Sequence, residues 1–259
     1  MQEPEIIYQN TNIIVANKPS GMPVHEAKHS SDYTLCDWLL ERFPEIKDVG
    51  DARANENIPY RPGIVHRLDK QTSGVMVIAR TQESFLKLKE VFKSRSVEKI
   101  YTALVCGHPK EREGTIKRLI GRRRAFPTKM AVAAELGESR YGRDKGHGDL
   151  RLVKEAMTDY RVVEELENTA LLSVKPHTGR MHQIRVHLAF IGHPIAGDTV
   201  YGGANVCLAE LSRLFLHATS LSFMYEDTRL KFEADLPEEL GKVLSTLKQA
   251  RGISPRHLR

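Results

Sequence analysis

The sequence predicts an α+β fold built on a mixed, mostly antiparallel central sheet that is flanked by helices and loops. Strand-like segments outnumber helical ones, and neighbouring strand-like segments are often close enough in the chain to form hairpins. Strands and helices do not alternate regularly, as they would in a parallel α/β fold. With 259 residues, of which 41% are hydrophobic and 28% charged, the chain is typical of a globular protein with a substantial core. We expect one domain over residues 1–259, with its core at about 5–240.

The first half of the chain is expected to combine short strands with two helices. Leu35, Trp38 and Leu39 recur at helical spacing, and Thr81 can cap a helix that carries Phe85 on its apolar side. The expected elements in chain order are strands at 6–8 and 13–15, a helix at about 34–42, strands at 64–65 and 75–78, a helix after residue 81, and a strand at 99–107.

The second half is expected to be richer in strands. A helix should follow Gly179, and a last helix should open near Pro237, since proline is favoured in a first helical turn. Residues 137–149 hold four glycines and many charges, which predicts a flexible surface loop. The remaining expected elements are strands at 157–166 and 170–174, a helix at about 181–191, and strands at 214–216, 221–224 and 230–232.

Cysteine usage and the N-terminus favour a cytoplasmic protein. Cys36, Cys106 and Cys207 are odd in number and unrelated in spacing, so they suggest neither a disulfide framework nor a metal or redox pair. We therefore expect a reducing compartment. The first residues lack the basic start and apolar stretch of a signal peptide, and no run approaches the ~18 apolar residues of a membrane-spanning helix.

Positive charge is concentrated in one part of the chain. Between Lys87 and Lys129 there are 13 Lys or Arg against 4 Asp or Glu, a surplus of nine, whereas the whole chain carries only +6. Such a block indicates a surface that faces a polyanion, although a solvated helix face would also explain its first lysines. We expect Arg122, Arg123 and Arg124 to form an exposed loop whose guanidinium groups contact phosphates.

A carboxylate between basic residues is the first candidate for chemistry. Asp69 lies between Arg67 and Lys70 and is followed by a Thr-Ser-Gly turn and an apolar run. Nearby positive charge favours the ionised carboxylate, and a strand-loop-strand junction often displays functional side chains. The alternative is an incidental ion pair at a turn.

A second cluster covers residues 175–187. Its three histidines are spaced five residues apart, so on a helix they cannot converge on one metal ion, and we expect no metal. Thr178, Gly179 and Arg180 open a helix, which favours an anion, either a phosphate or the Asp69 carboxylate. The alternative is an ordinary helix start. A third cluster at 194–203 is turn-rich and is interpreted as structural, and the chain has no P-loop and no G-x-G-x-x-G motif.

Taken together, these segments resemble the RluA-type pseudouridine synthases from about residue 5 to residue 240. The matching motifs keep the order of that family: His66-Arg67-Leu68-Asp69 with Thr72-Ser73-Gly74, Lys99-x-Tyr101-x-Ala103-x-Val105-x-Gly107, Ile120-Gly121-Arg122 to Lys129-Met130-Ala131-Val132, Thr158-x-Tyr160-Arg161-Val162, Thr178-Gly179-Arg180-x-His182-Gln183-Ile184-Arg185-Val186-His187, Gly197-Asp198-x-x-Tyr201-Gly202 and His217-Ala218.

The resemblance implies the pseudouridine synthase catalytic fold and an enzyme that isomerises uridine in RNA without cofactor, metal or ATP. The bond from C1′ to N1 is broken, the uracil turns, and C5 is joined to C1′. Asp69 matches the catalytic aspartate, as nucleophile or as the base that removes a sugar proton. Tyr101 matches the tyrosine that packs against the base and assists proton removal from C5, and Arg180 matches the arginine that pairs with the aspartate.

RNA contacts are assigned to His66 and Arg67 beside the flipped nucleotide, and to Arg122, Arg123 and Arg124. Many members of this family carry a further N-terminal RNA-binding domain, whereas here the catalytic pattern begins near residue 5, so we expect the catalytic domain itself to select the RNA. The expected substrate is a stem-loop of ribosomal or transfer RNA, from which the uridine is flipped out.

We expect a monomer that works in the cytoplasm, with no membrane and no obligatory protein partner. A catalytically silent RNA-binding relative is the alternative, which the presence of all three candidate catalytic residues disfavours. A hydrolase of small glycosides is a third hypothesis, but the second carboxylate that such sites need is missing.

Overall fold

The computed structural model describes residues 2–26, 31–51, 61–124, 126, 129–133, 150–203, 207–208 and 211–253. The predicted flexible loop at 137–149 lies outside them. The chain divides into two compact units, the first comprising Met1–Tyr101 and Leu216–Leu236 and the second Thr102–Phe215 and Pro237–Arg259.

Within the described residues, the secondary structure consists of four α-helices, one short 3-10 helix at Pro44–Asp48 and ten strands. The α-helices are α1 (Leu35–Arg42), α2 (Gln82–Lys93), α3 (Gln183–Phe190) and α4 (Glu238–Ile253). The strands are β1 (Glu5–Gln9), β2 (Ile13–Lys18), β3 (Ser73–Ala79), β4 (Glu98–Cys106), β5 (Glu113–Arg123), β6 (Met130–Ala133), β7 (Leu150–Glu165), β8 (Thr169–Pro176), β9 (Leu216–Tyr225) and β10 (Thr228–Glu233). No helix in these parts of the chain is long and apolar enough to cross a membrane.

The sheet of the first unit has the order β1-β2-β3-β9-β10, and only the β3–β9 pair is parallel. Every residue of β3 is buried, as are the first four residues of β2, so these two strands form the middle of the core. The helices α1 and α2 contribute Leu35, Trp38, Phe85 and Leu88 to the same hydrophobic cluster. The apolar runs that predicted these strands and helices are therefore core-forming.

Side-chain caps fix where the two helices of this unit begin. The Thr34 hydroxyl accepts a hydrogen bond from the Asp37 N–H at 3.2 Å, and the Asp37 carboxylate accepts the Thr34 N–H in return. The Thr81 hydroxyl accepts the Ser84 N–H at 3.1 Å at the start of α2. Such caps satisfy backbone donors that the first helical turn leaves open, and both helices begin where the sequence predicts.

In the second unit, β8-β7-β5-β6 form an antiparallel sheet, and α3 packs on it. Val186 of α3 lies with Ile120 and Ala156 in a small hydrophobic cluster. The strands β5 and β6 were not anticipated, and β7 starts at Leu150, seven residues before the predicted strand.

Some predicted boundaries are wrong for identifiable reasons. Ile64 forms an isolated bridge to Ile78 and no strand, and the first two predicted strands after residue 213 merge into β9. The predicted loop at Arg122–Arg124 is wrong in part, because Arg122 and Arg123 end β5 and are paired with β7. Cross-strand pairing with a distant segment decides these cases, and it is not visible in a local pattern.

The expectation that the cysteines are unpaired is also wrong. Cys106 and Cys207 form a disulfide across 101 residues of sequence, with their Cα atoms 5.6 Å apart, and Cys36 is free and buried. Spacing along the chain says nothing about such a long-range approach. The cysteines therefore give no support to a reducing compartment.

Candidate active site

The loop that carries Asp69 lies in the first unit and leads into β3. Leu68 is buried in the core beside it, and Asp69 itself is half-buried. The Thr72 N–H donates to the Asp69 carbonyl at 3.1 Å, which closes a turn. The carboxylate is thus displayed on a turn whose neighbouring residue is anchored in the core.

A buried lysine ties a second segment to this loop. Lys18 is fully buried at the end of β2, and its Nζ donates to the carbonyls of Pro19 at 2.7 Å, Met22 at 2.8 Å and Lys70 at 3.3 Å. A buried ammonium is stable only where such acceptors replace water. Sequence reasoning did not single out Lys18, although a lysine that ends an apolar strand before Pro-Ser-Gly is a usable signal.

Two further bonds join the same segments. The Gly21 N–H donates to the Lys70 carbonyl at 2.8 Å, and the Ser20 hydroxyl donates to the Gln71 carbonyl at 2.7 Å. The turn that follows β2 therefore holds, through these two hydrogen bonds, the backbone directly after Asp69.

The other end of the loop is fixed by close contact with β9. The Ser73 hydroxyl donates to His217 Nδ1 at 2.9 Å, and His217 Nε2 donates to the Ala234 carbonyl at 3.1 Å. Gly74 has φ +121°, and a Cβ at this position would lie 2.2 Å from the Ala218 carbonyl oxygen. Only glycine fits there, so the start of β3 and the end of the loop cannot easily shift.

The two basic neighbours of Asp69 have different surroundings. Arg67 is exposed, and its Nη1 donates to His25 Nε2 at 3.1 Å. Burial, together with the charges of Arg61 and Arg67, lowers the pKa of His25, which leaves the ring neutral as an acceptor. Lys70 pairs with Asp32 at 2.7 Å, and the side chains of both are about half exposed. Lys70 is thus engaged at the surface, whereas the Arg67 guanidinium keeps further donors for a ligand.

His66 has the contacts of a structural residue. Its Nε2 accepts the Val77 N–H at 3.0 Å, and its ring stacks on Phe92 with centroids 4.5 Å apart. Burial, and to a smaller extent the charge of Lys99, lowers the pKa of His66 to about 3. The ring is therefore neutral at physiological pH, and the predicted RNA contact of His66 stays a prediction.

Tyr101, the last residue of the first unit, lies near enough to Asp69 to be influenced by its charge. It is half-buried at the edge of the hydrophobic core. Burial raises the pKa of Tyr101 above its ordinary value, and the negative charge of Asp69 raises it further. The carboxylate and the phenol thus share one electrostatic environment, in which the phenol is neutral.

Arg180 lies in the second unit, in the turn before α3. Its N–H donates to Gln183 Oε1 at 3.0 Å, and its Nε donates to the Glu155 carbonyl at 3.0 Å. Gln183 is buried and also accepts the Thr178 hydroxyl at 2.6 Å and donates to the Met157 carbonyl at 3.0 Å. Gln183, which sequence reasoning did not assign a role, fixes the backbone that presents Arg180.

The three histidines around this turn have separate partners. His177 Nε2 lies 2.5 Å from Asp159 Oδ2, His182 Nδ1 lies 2.7 Å from the Tyr201 hydroxyl, and His187 Nδ1 lies 2.9 Å from the Thr158 hydroxyl. Among the residues that the structure describes, no group of three potential metal ligands is gathered in one place.

A buried ion pair organises the turn-rich third cluster. Arg185 makes two bonds to the Asp198 carboxylate, at 2.8 and 2.9 Å, and Asp198 Oδ1 also accepts the N–H groups of Val200 and Tyr201. Both charged side chains are almost inaccessible to water. These contacts fit the structural interpretation of residues 194–203.

The predicted phosphate-binding arginines lie at the end of β5 in the second unit. Arg122 and Arg124 are exposed and Arg123 is half-buried. Arg122 and Arg123 are on a strand that is paired on both sides, so their backbone is fixed.

Comparison with known proteins gives a consistent result. Residues 12–190 match the family model described as RNA pseudouridylate synthase. "Ribosomal large subunit pseudouridine synthase D" of Pseudomonas aeruginosa is 40% identical over 96% of this chain and 73% of that protein. An "Uncharacterized RNA pseudouridine synthase" of Chlorobaculum parvum is 39% identical over 94% of this chain and 74% of that protein. The solved structure of Human RNA Pseudouridylate Synthase Domain Containing 1 has a TM-score of 0.72 at 27% identity, covering 98% of this chain and 96% of that one.

Proposed function

The chain belongs to the RNA pseudouridylate synthase family, and we propose that it isomerises specific uridines in structured RNA, ribosomal or transfer RNA, to pseudouridine. Large-subunit ribosomal RNA is the first candidate, because several of the similar proteins are named ribosomal large subunit pseudouridine synthase D. The observation that carries the proposal is the Asp69 carboxylate on its anchored turn, with its charge felt by the neutral Tyr101 phenol.

Asp69 is proposed as the catalytic carboxylate. The reaction breaks the bond between C1′ and N1 and joins C5 to C1′, and the proton on C5 is lost while N1 gains one. A carboxylate can attack C1′ or remove a sugar proton, and in both roles it must be ionised and accurately placed. The hydrogen bonds of Lys18 and the close contact at Gly74 support such placement.

Tyr101 is proposed as the platform for the uracil. A phenol with a raised pKa is protonated at neutral pH, so Tyr101 can donate a hydrogen bond as well as stack on the base. Assistance in proton removal from C5, which the family resemblance implies, stays part of the proposal. Turning the nucleotide out of an RNA stack costs a few kcal/mol, and stacking on an aromatic side chain recovers about 1–3 kcal/mol.

Arg180 is proposed as the counter-charge of the catalytic carboxylate, which would favour its ionised form. Its backbone is held by Gln183 and its Nε by the Glu155 carbonyl, so the remaining guanidinium donors have a defined direction. Arg67 is proposed to contact the flipped nucleotide, and Arg122–Arg124 to contact phosphates.

We further propose that both units form one catalytic domain, since the family match at 12–190 includes parts of both. The protein is proposed to act as a monomer in the cytoplasm, without an obligatory protein partner. Light scattering of the purified chain, alone and with RNA, tests the oligomeric state.

Release of tritium from RNA transcribed with 5-tritiated uridine tests the proposed activity, because C5 loses its hydrogen in the reaction. We expect release from large-subunit ribosomal RNA that exceeds release from transfer RNA. RNA binding without tritium release from either substrate would instead favour the silent RNA-binding relative.

Replacing Arg122, Arg123 and Arg124 together by Ala tests the phosphate contacts. RNA affinity should fall, and its dependence on salt should flatten, because fewer counterions are released on binding. An unchanged slope of log K against log salt would remove these arginines from the interface.

A further inference from the structure

The pairing of β5 with β7 contains an irregularity beside the basic strand end. Ile120 lies opposite Lys154, and the next pair is Arg122 with Arg151, so a single residue of β5 faces two residues of β7. Leu152, one of those two, has φ +54°, a left-handed conformation that a leucine rarely adopts. The arrangement is a β-bulge, which re-aims the side chains that follow it.

The glycine opposite the bulge makes room for it. A Cβ on Gly121 would lie 2.9 Å from Val153 Cγ2, 3.1 Å from Leu150 Cβ and 3.3 Å from the Arg151 carbonyl oxygen. Each of these distances is below an ordinary van der Waals contact. Because Gly121 has no side chain, it leaves space in β5 for the extra residue of β7.

The bulge places two arginines directly opposite each other. Side chains of directly paired residues point to the same face of a sheet and lie close together, and like charges at such positions destabilise the sheet. At the other end of the same two strands, Glu113 faces Arg161, a pairing of opposite charges. Among the described pairs of β5 with β7, Arg122 with Arg151 is the one that joins two like charges.

The face that carries this pair is the one on which α3 packs. Ile120, two residues before Arg122, lies in the cluster formed with Val186 of α3, and Arg122 Nη2 approaches Met181 Sδ at 3.9 Å. Lys154 faces the same side, since it is paired with Ile120. The adjoining turn carries Arg180, whose Nε is bonded to the Glu155 carbonyl of β7.

Among the residues that the structure describes, no carboxylate forms an ion pair with Arg122, Arg151 or Lys154. All three side chains are exposed. Two exposed arginines at directly paired backbone positions, with no carboxylate partner among the described residues, favour an anion near them. Planar guanidinium groups match phosphate oxygens well.

We propose that Arg122, Arg151 and Lys154 form a phosphate-binding site for the backbone of the RNA substrate, next to the turn that presents Arg180. This inference rests on the proposed function and adds Arg151 and Lys154 to the RNA-binding surface. The site positions the RNA strand and carries no base specificity, since phosphate contacts set register and bases supply sequence information.

The variants Arg122→Gln and Arg151→Gln test the site, with Arg161→Gln as the matched control at the opposite end of β7. RNA affinity, measured against salt concentration, should weaken for both test variants. The slope of log K against log salt should shrink by about 0.7–0.9 for each lost phosphate contact. Arg161→Gln should leave affinity and slope as in the wild type. Equal slopes for wild type and Arg151→Gln would overturn the proposal.

A second measurement needs no RNA. Because Arg151→Gln removes a like-charge contact, its melting temperature without ligand should equal or exceed that of the wild type. Tripolyphosphate should raise the melting temperature of the wild type more than that of Arg151→Gln. Equal shifts in both proteins would count against the site.

The two proposals can fail separately. Tritium release by the wild type, combined with unchanged salt slopes in both test variants, would refute the phosphate site, including the contact proposed for Arg122, and leave the proposed isomerase activity in place. Reduced slopes without tritium release from any RNA would support the site and refute the proposed function.

Discussion

Substitution of Gly74 by Ala adds only one methyl group, but it should destabilise the protein strongly. The backbone at Gly74 has φ +121°, and an added Cβ would lie 2.2 Å from the Ala218 oxygen and 2.6 Å from the Ala218 nitrogen. These are backbone atoms of the paired strand β9, so no side-chain rotation relieves the contact. The shorter contact would have to lengthen by about 1 Å to reach an ordinary van der Waals distance, which requires β3 and β9 to separate.

Two contributions, backbone strain and crowding, determine how far Gly74→Ala lowers the free energy of unfolding. A left-handed backbone costs a non-glycine residue about 1–2 kcal/mol. Forcing extra volume into a packed site typically costs about 1–3 kcal/mol more. The free energy of unfolding should therefore fall by about 2–5 kcal/mol. Urea unfolding followed by circular dichroism measures it, and tritium release reports whether the displaced Asp69 turn also loses activity.

Gly21→Ala is the matched control. Gly21 lies in the same unit with φ +83°, and an added Cβ would meet no atom within 4 Å. Gly21→Ala should lower the free energy of unfolding by only about 1–2 kcal/mol, which is the cost of a left-handed backbone at a non-glycine residue. If Gly74→Ala were no more destabilising than Gly21→Ala, the claim that close contact with β9 anchors the Asp69 loop would be refuted.

Other predictions concern buried charge and pH. Asp198→Asn removes a buried carboxylate charge that pairs with Arg185 and should reduce the free energy of unfolding by about 3–5 kcal/mol. Glu238→Gln, which breaks an exposed pair with Lys242, should have no measurable effect in the same urea titration. The pKa of His66 is about 3 in the folded protein and about 6.5 in an unfolded chain, so the unfolded state takes up the proton first as the pH falls. Stability should therefore decline as the pH falls from about 6.5 to about 3, and His66→Gln should show a smaller decline. Equal pH dependence in the two proteins would argue against the lowered pKa of His66.

Local patterns in the sequence were sufficient where local physics decides the structure. The capping residues Thr34 and Thr81 and the apolar spacing behind them predict the starts of α1 and α2. The fully apolar stretch at the centre of β3 predicts a buried strand. Asp69 could be singled out because its basic neighbours and the turn after it are adjacent in the chain.

Features that depend on distant segments could not be predicted in this way. The strand β5 alternates weakly and ends in arginines, so its pairing with β6 and β7, and not its local pattern, identifies it as a strand. The pairing of Cys106 with Cys207 and the bonds of Lys18 to the loop after Asp69 likewise join segments that are far apart in sequence. Tertiary contact overrides local preference in each case.

The role of Asp69 is the central claim, and Asp69→Asn tests it most directly because the two side chains have almost the same shape. The variant and the wild type are compared for tritium release from 5-tritiated large-subunit ribosomal RNA and for affinity toward the same RNA. We predict that the variant binds within a few fold of the wild type and releases no tritium. Turnover by the Asp69→Asn variant at a rate comparable to the wild type would contradict the assignment of Asp69 as the catalytic carboxylate.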